Sequence, residues 1–213
     1  MALPVAGWSV PSWVVVNVRS MTLFFALLTV VANGAVIAAL VLYVGLRLPP
    51  LERAGRSLVS YLRPYALGTA WIVATISTAG SLYLSEVAHL PPCTLCWYQR
   101  IAMYPLGVIL AIAALRRDGA VRRYVLPLIA GGALISIYHY QLQRFPKQST
   151  LACALDTPCT ATWVWRFHYI SIPFMALSAF ALIALLVLIA GWRGARATEE
   201  ASTTMLEPIG GTR

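Results

Sequence analysis

The sequence holds 213 residues, 60% of them apolar and only 11% charged, with a formal net charge of +9. Soluble domains carry about a quarter charged residues, so these charges cannot coat a water-facing surface, and lipid is the expected solvent. A basic balance can signal nucleic acid, but here the cations sit in connectors between apolar runs, which excludes that partner and leaves membrane lipid.

Residues 1–21 read as a short extracytoplasmic extension. Pro4 and Pro11 interrupt it, and Trp8 and Trp13 suit a membrane interface. A membrane-crossing helix needs about 20 apolar residues, and Thr22–Leu46 is the first run to qualify. It reads as a retained span rather than a secretory signal. No Lys or Arg precedes it within residues 1–18, and it exceeds the roughly 7–15 apolar residues of a signal core.

Pro49-Pro50 closes this span, and residues 47–65 form an arginine-bearing connector with Arg47, Arg53, Arg56 and Arg63. Pro64 stands where a new helix can begin. Four further spans follow within residues 66–191, at Ala66–Ala88, Trp97–Leu115, Tyr124–Leu142 and Ile170–Gly191. The short link 89–96 and the tight RRDGAVRR turn each force an antiparallel hairpin. The last link, 143–169, is longer. Its Trp163, Trp165 and Phe167 are placed to rest on the headgroup layer. Residues 192–213 form a polar tail, expected to be disordered.

If the spans alternate, eleven of the sixteen Lys and Arg residues lie on one side, in 47–65, 116–123 and the tail. Cytoplasmic segments are the basic ones. The expected topology is multi-pass in a bacterial cell membrane, with the N-terminus outside and the C-terminus in the cytoplasm. The fold class is all-α, a polytopic four-helix bundle with one additional N-terminal transmembrane helix.

All four cysteines then fall outside, Cys93 and Cys96 in one link and Cys153 and Cys159 in the next. Disulfides persist on that oxidising side. The C-x-x-C spacing is that of dithiol oxidoreductases, whose thiolate is favoured by a helix N-terminus or a nearby cation. Cys96 opens the third span, so the positive helix end is expected beside its sulfur. Arg100, four residues on, shares its helix face. Three blander readings compete. One is a structural staple, another is inert buried thiols, which would belong inside spans, and the third is a zinc site, which needs four ligands. No metal is expected. Cys153 and Cys159 bracket ALDTP, where Asp156 and Pro158 favour a turn that lets the two sulfurs meet.

Thiol exchange alone only shuffles disulfides, so net oxidation needs an acceptor. The chain has no glycine-rich dinucleotide fingerprint, haem motif or iron–sulfur cysteine set. A lipid-soluble quinone needs only an apolar slot and hydrogen-bond donors. Arg100 is placed to donate to it, the alternative being a snorkelling interfacial arginine. His139, in ISIYHYQLQ, could donate to the second carbonyl or pass a proton, the alternative being an interfacial histidine between Tyr138 and Tyr140. Gln99, Trp97 and Tyr104 are candidates to line the slot. Glu86 gives a weak signal for proton handling, and His168 reads as interfacial.

The segments PPCTLCWYQRIAMYPLGVIL, YHYQLQ and CALDTPC together resemble the DsbB family of disulfide bond formation proteins, in its BdbC-type branch, over about residues 65–190. The resemblance implies a four-helix bundle that reoxidises a thioredoxin-fold thiol oxidase, DsbA- or BdbD-like, and passes the electrons to menaquinone or ubiquinone. By position it implies that Cys153 is attacked by the partner, Cys159 relays to Cys93, and Cys96 meets the quinone held by Arg100 and His139. The span 22–46 is an addition to the family's four-helix core. Rival functions are a vitamin-K-epoxide-reductase-like enzyme, in which the C-x-x-C comes last rather than first, a thiolate metal carrier or transporter, and a non-catalytic assembly protein with structural disulfides.

Overall fold

The computed structural model describes residues 12–45, 49–148, 153 and 158–192, and side chains from residue 18 onward except those of 45–54 and 148. Five long helices account for most of them: α1 (Ser12–Gly45), α2 (Pro49–Leu82), α3 (Thr94–Arg116), α4 (Arg122–Arg144) and α5 (Ile172–Ala190). Among the described residues there is no strand, only one bridge between Arg166 and Ile170. All five helices are long and apolar enough to cross a membrane.

The second to fifth helices form a ring, α2 against α3, α3 against α4, α4 against α5 and α5 against α2. The first lies outside the ring, on α5 and the edge of α2. Short antiparallel turns place every cysteine-bearing link at one end and the arginine-rich turn between α3 and α4 at the other.

Two boundaries differ from the sequence reading. The first helix starts at Ser12, inside the expected extension, directly after Pro11. The second starts at Pro49, so most of the expected connector 47–65 is helical, and Pro64 lies within the helix rather than at its start. Proline at a first helical turn is unpenalised because that N–H has no intrahelical partner anyway, which makes Pro49 the start. An internal proline such as Pro64 is tolerated in membrane helices, where neighbouring groups satisfy the freed carbonyl. The expected tail lies outside the described residues beyond Trp192.

Packing in the ring relies on small residues. Ala66, Ala70 and Ala74 recur every fourth position on α2 and are buried, which lets neighbouring backbones approach closely. Leu106 and Leu110 of α3, Val125 and Ile129 of α4, and Phe180 and Ile183 of α5 fill the centre. The Phe180 ring lies directly over Gly132, where a Cβ would collide with it. Hydroxyls within the helices donate to their own backbone, as Thr29 does to Phe25, Ser136 to Gly132 and Ser178 to Phe174. With no water in the bilayer core, such self-satisfaction is the cheapest solution.

The turns are built locally. Arg117 ends α3 in the left-handed conformation, φ 53°, and the Asp118 carboxylate accepts from the Ala120 N–H. Arg122 donates to the carbonyl of Gly191 at the C-terminus of α5, closing the arginine end. At the cysteine end, α2 widens into a π-helical turn, Tyr83–Val87.

Candidate active site

Cys93 is the N-cap of α3. Its backbone is extended, φ −73° and ψ 171°, and its sulfur accepts from the Cys96 N–H at 3.4 Å. The helix N-terminus therefore polarises Cys93 rather than Cys96, a correction to the sequence reading. The N-cap position aims its own side chain at the free N–H groups, whereas a residue inside the first turn points away from them. The two sulfurs are 2.9 Å apart.

The Cys93 sulfur also faces Nε2 of His139 at 3.7 Å, and His139 Nδ1 lies 3.3 Å from the Gln99 side-chain nitrogen. With the Gln99 amide as donor, Nδ1 accepts and the imidazole proton resides on Nε2, aimed at sulfur. His139 is 2% exposed. It is therefore a buried partner of Cys93, not an interfacial residue between its flanking tyrosines. The Cys96 thiol, acting as donor, holds Cys93 well below its ordinary value of 9.0, at about 4, and His139 adds to this against the opposing effect of burial.

Cys153 and Cys159 are bonded to each other, with Cα atoms 5.8 Å apart. The two cysteine pairs share one small apolar cluster. Cys93, Leu95, Leu142 and Cys159 are its buried members, and Cys96, Ile135, Tyr138 and Cys153 pack against it. Gln143, one residue beyond Leu142, donates to the carbonyl of Ala161 and holds the second loop over the end of α4.

Cys96 also borders a cavity of about 300 Å³, within the range of small-ligand sites. Cys96, Gln99, Arg100 and Tyr104 line it from α3, and its remaining walls are mostly apolar. Arg100 is fixed by two hydrogen bonds to one residue, Nε to the Ser81 hydroxyl and Nη2 to the Ser81 carbonyl, both 3.0 Å. Its guanidinium carbon stands 5.1 Å over the Trp97 ring. Nη1 makes no hydrogen bond to a described residue. The Tyr104 hydroxyl is buried and likewise has no partner among them.

Of the slot residues expected from sequence, Arg100, Gln99 and Tyr104 line the cavity, while His139, expected to donate to the second carbonyl, and Trp97 do not; the His139 ring is turned to Cys93 and Gln99. Trp97 is half exposed and serves as a platform under Arg100. Glu86 and His168 are exposed and lie outside it. Ser81, which fixes Arg100, was not singled out by sequence. A serine within an apolar helix carries no signal of which residue it faces. Cys93, Cys96 and His139 bring their ligating atoms within 4.8 Å of one another. These are three donors, one fewer than a structural zinc site uses.

A profile described as "Disulfide bond formation protein DsbB" matches residues 63–190, more than half of the chain. The chain belongs to the DsbB family. It is 48% identical over 120 residues to "Disulfide bond formation protein C" of Bacillus subtilis (strain 168), covering 56% of this chain and 87% of that one. It is 45% identical over 122 residues to "Probable disulfide formation protein C 1" of Bacillus cereus (strain ATCC 10987 / NRS 248), covering 57% and 88%. A "Probable disulfide formation protein" of Coxiella burnetii (strain CbuK_Q154) is 42% identical over 131 residues, covering 61% and 89%. No solved structure matches. This DsbB-family member is a multi-pass membrane protein of disulfide bond formation, and its first helix lies outside the region matched by the family profile.

Proposed function

We propose that the protein is a thiol:quinone oxidoreductase that reoxidises a thioredoxin-fold thiol oxidase outside the cytoplasm. The observation that carries this reading is the position of Cys96. Its sulfur borders both the cluster holding the Cys153–Cys159 disulfide and the cavity lined by Arg100. A cysteine that borders both a disulfide-bearing cluster and an apolar cavity links thiol exchange to a lipid-soluble acceptor.

In the first step the partner's thiolate attacks Cys153, forming a mixed disulfide and releasing Cys159 as thiolate. The partner's second thiol then resolves it, leaving the partner oxidised and Cys153 and Cys159 reduced. Cys159 attacks the Cys93–Cys96 disulfide at Cys93, and Cys153 completes the exchange, which regenerates the loop disulfide and leaves Cys93 and Cys96 as a dithiol. Arg100 and Tyr104 would hold a quinone in the cavity, where it would supply the two-electron, two-proton acceptor that returns the dithiol to the Cys93–Cys96 disulfide. Arg100 Nη1 and the Tyr104 hydroxyl, which have no partner among the described residues, are donors that such a ring's oxygens could accept from. His139, donating from Nε2, favours Cys93 as the anion. Ser81 orients Arg100. The basic turn between α3 and α4 supports a cytoplasmic location for that end and an extracytoplasmic one for all four cysteines.

The test is a three-component assay with purified protein, a reduced thioredoxin-fold partner and a short-chain quinone. Quinol should form one-for-one with partner disulfide and stop when Cys96 is changed to Ser. Partner oxidation without quinol would overturn the reading.

A further inference from the structure

The first helix is not part of the four-helix ring, yet it is built into the site. Phe25, Leu28, Thr29, Ala32 and Ala35 of α1 line the cavity together with Cys96 and Arg100. The cavity lies where α2 and α5 meet, and α1 packs over that seam. The fit is close. The Phe25 ring rests on Gly80 of α2, where any Cβ would collide with it. Ala26 and Ala32 are buried, whereas Leu27 and Leu40 are exposed and lie outside the cavity lining.

The outer end of α1 is also held by the loop that bears the second cysteine pair. Arg166 donates through Nη2 to the Arg19 carbonyl at 3.1 Å and to the Thr22 hydroxyl at 2.9 Å. Trp163 of the same loop lines the cavity. One helix and one loop side chain therefore close the side of the cavity that would otherwise open onto lipid.

We propose that α1 is the lateral wall of the acceptor site, and that its small residues Ala32 and Ala35 make the room in which a lipid-soluble quinone is held. The inference rests on the quinone reading above and extends it to a helix outside the family match. A bulky side chain at either position fills part of the cavity from α1 while leaving both cysteine pairs untouched. The same substitution on the outward face changes only the lipid contact.

The experiment uses the full chain in nanodiscs. Ala32→Phe and Ala35→Leu are compared with Leu40→Phe, which lies on the outward face. Three quantities are measured: the KM for a short-chain quinone, quenching of tryptophan fluorescence by that quinone, and single-turnover reduction of the loop disulfide by a reduced partner without quinone. The cavity variants should raise KM and the quenching midpoint about tenfold with the single turnover unchanged, and Leu40→Phe should match the wild type. If the single turnover is intact and neither cavity variant shifts KM or quenching, α1 is not the wall. If Ala32→Phe loses the single turnover as well, its fold is disturbed and the smaller Ala35→Leu decides. If the wild type itself neither quenches nor reduces quinone, the quinone reading fails first, and this inference with it.

Discussion

His139 Nε2 points at the Cys93 sulfur from 3.7 Å while its Nδ1 is engaged by Gln99. The imidazole is thereby held in the tautomer that donates to a thiolate. Together with the helix N-terminus and the Cys96 thiol, it makes Cys93 the acidic sulfur of the pair.

That arrangement has a pH signature. The folded-state value of Cys93 lies below its ordinary 9.0, at about 4. The thiolate contributes to the stability of the reduced state fully above the ordinary value. That contribution declines as the pH falls and is gone below the depressed one. In a variant with Cys153 and Cys159 both changed to Ala, the ultraviolet absorbance of the reduced C-x-x-C thiolate should persist to near pH 5 and fall to half its value at about 4. A midpoint close to the ordinary cysteine value would contradict the geometry.

His139→Ala should move that midpoint upward, because a donor and a potential positive charge are removed from beside the sulfur. Gln99→Leu should move it in the same direction but less, since it frees the tautomer without removing the ring. An unmoved midpoint in His139→Ala would show that the contact carries no electrostatic weight.

Arg100→Ala removes a charged donor from the cavity, and hydrogen bonds to charged groups are worth about 1.5–3 kcal/mol. KM for quinone should rise roughly ten- to hundredfold, while partner-dependent reduction of the loop disulfide is preserved. Ser81→Ala should produce a smaller shift of the same kind, about 1 kcal/mol, because Ser81 positions the guanidinium rather than meeting the acceptor. Equal losses in both half-reactions would assign Arg100 to structure alone.

Cys153→Ala should abolish the trapped mixed disulfide with a partner whose resolving cysteine has been removed. Cys159→Ala, supplied with Cys153 already in mixed disulfide with a small aromatic thiol, should instead accumulate it, because the partner's thiolate displaces the small thiol and no Cys159 is present to displace the partner in return. Non-reducing electrophoresis distinguishes the two. A complex that survives in Cys153→Ala reverses the order of the relay.

Gly132→Val drives a branched side chain into the Phe180 ring at the ring's α4–α5 contact. Overpacking of this kind costs about 1–3 kcal/mol. The thermal midpoint should fall, with the quinone KM of the surviving folded protein unchanged. A wild-type midpoint would mean that the contact is loose.

Much of this protein could be read along the chain. Solvent decides the spans, because about 20 consecutive apolar residues have no other stable environment, and the cysteine spacing with Arg100 one turn later already fixes a dithiol and a cation on one helix face. What the linear order does not contain is which side chains meet across helices. His139 lies 46 positions from Cys93, Ser81 is 19 from Arg100, and their contact depends on the rotation of α4 and α2 within the ring. The same is true of α1. Its apolar composition marks it as a span, but only packing turns Phe25, Ala32 and Ala35 toward the cavity and Leu40 toward lipid. In a bilayer both faces of a helix are apolar, so the amphipathic pattern that reveals orientation in a soluble protein is missing, and only tertiary contacts decide which face belongs to the site.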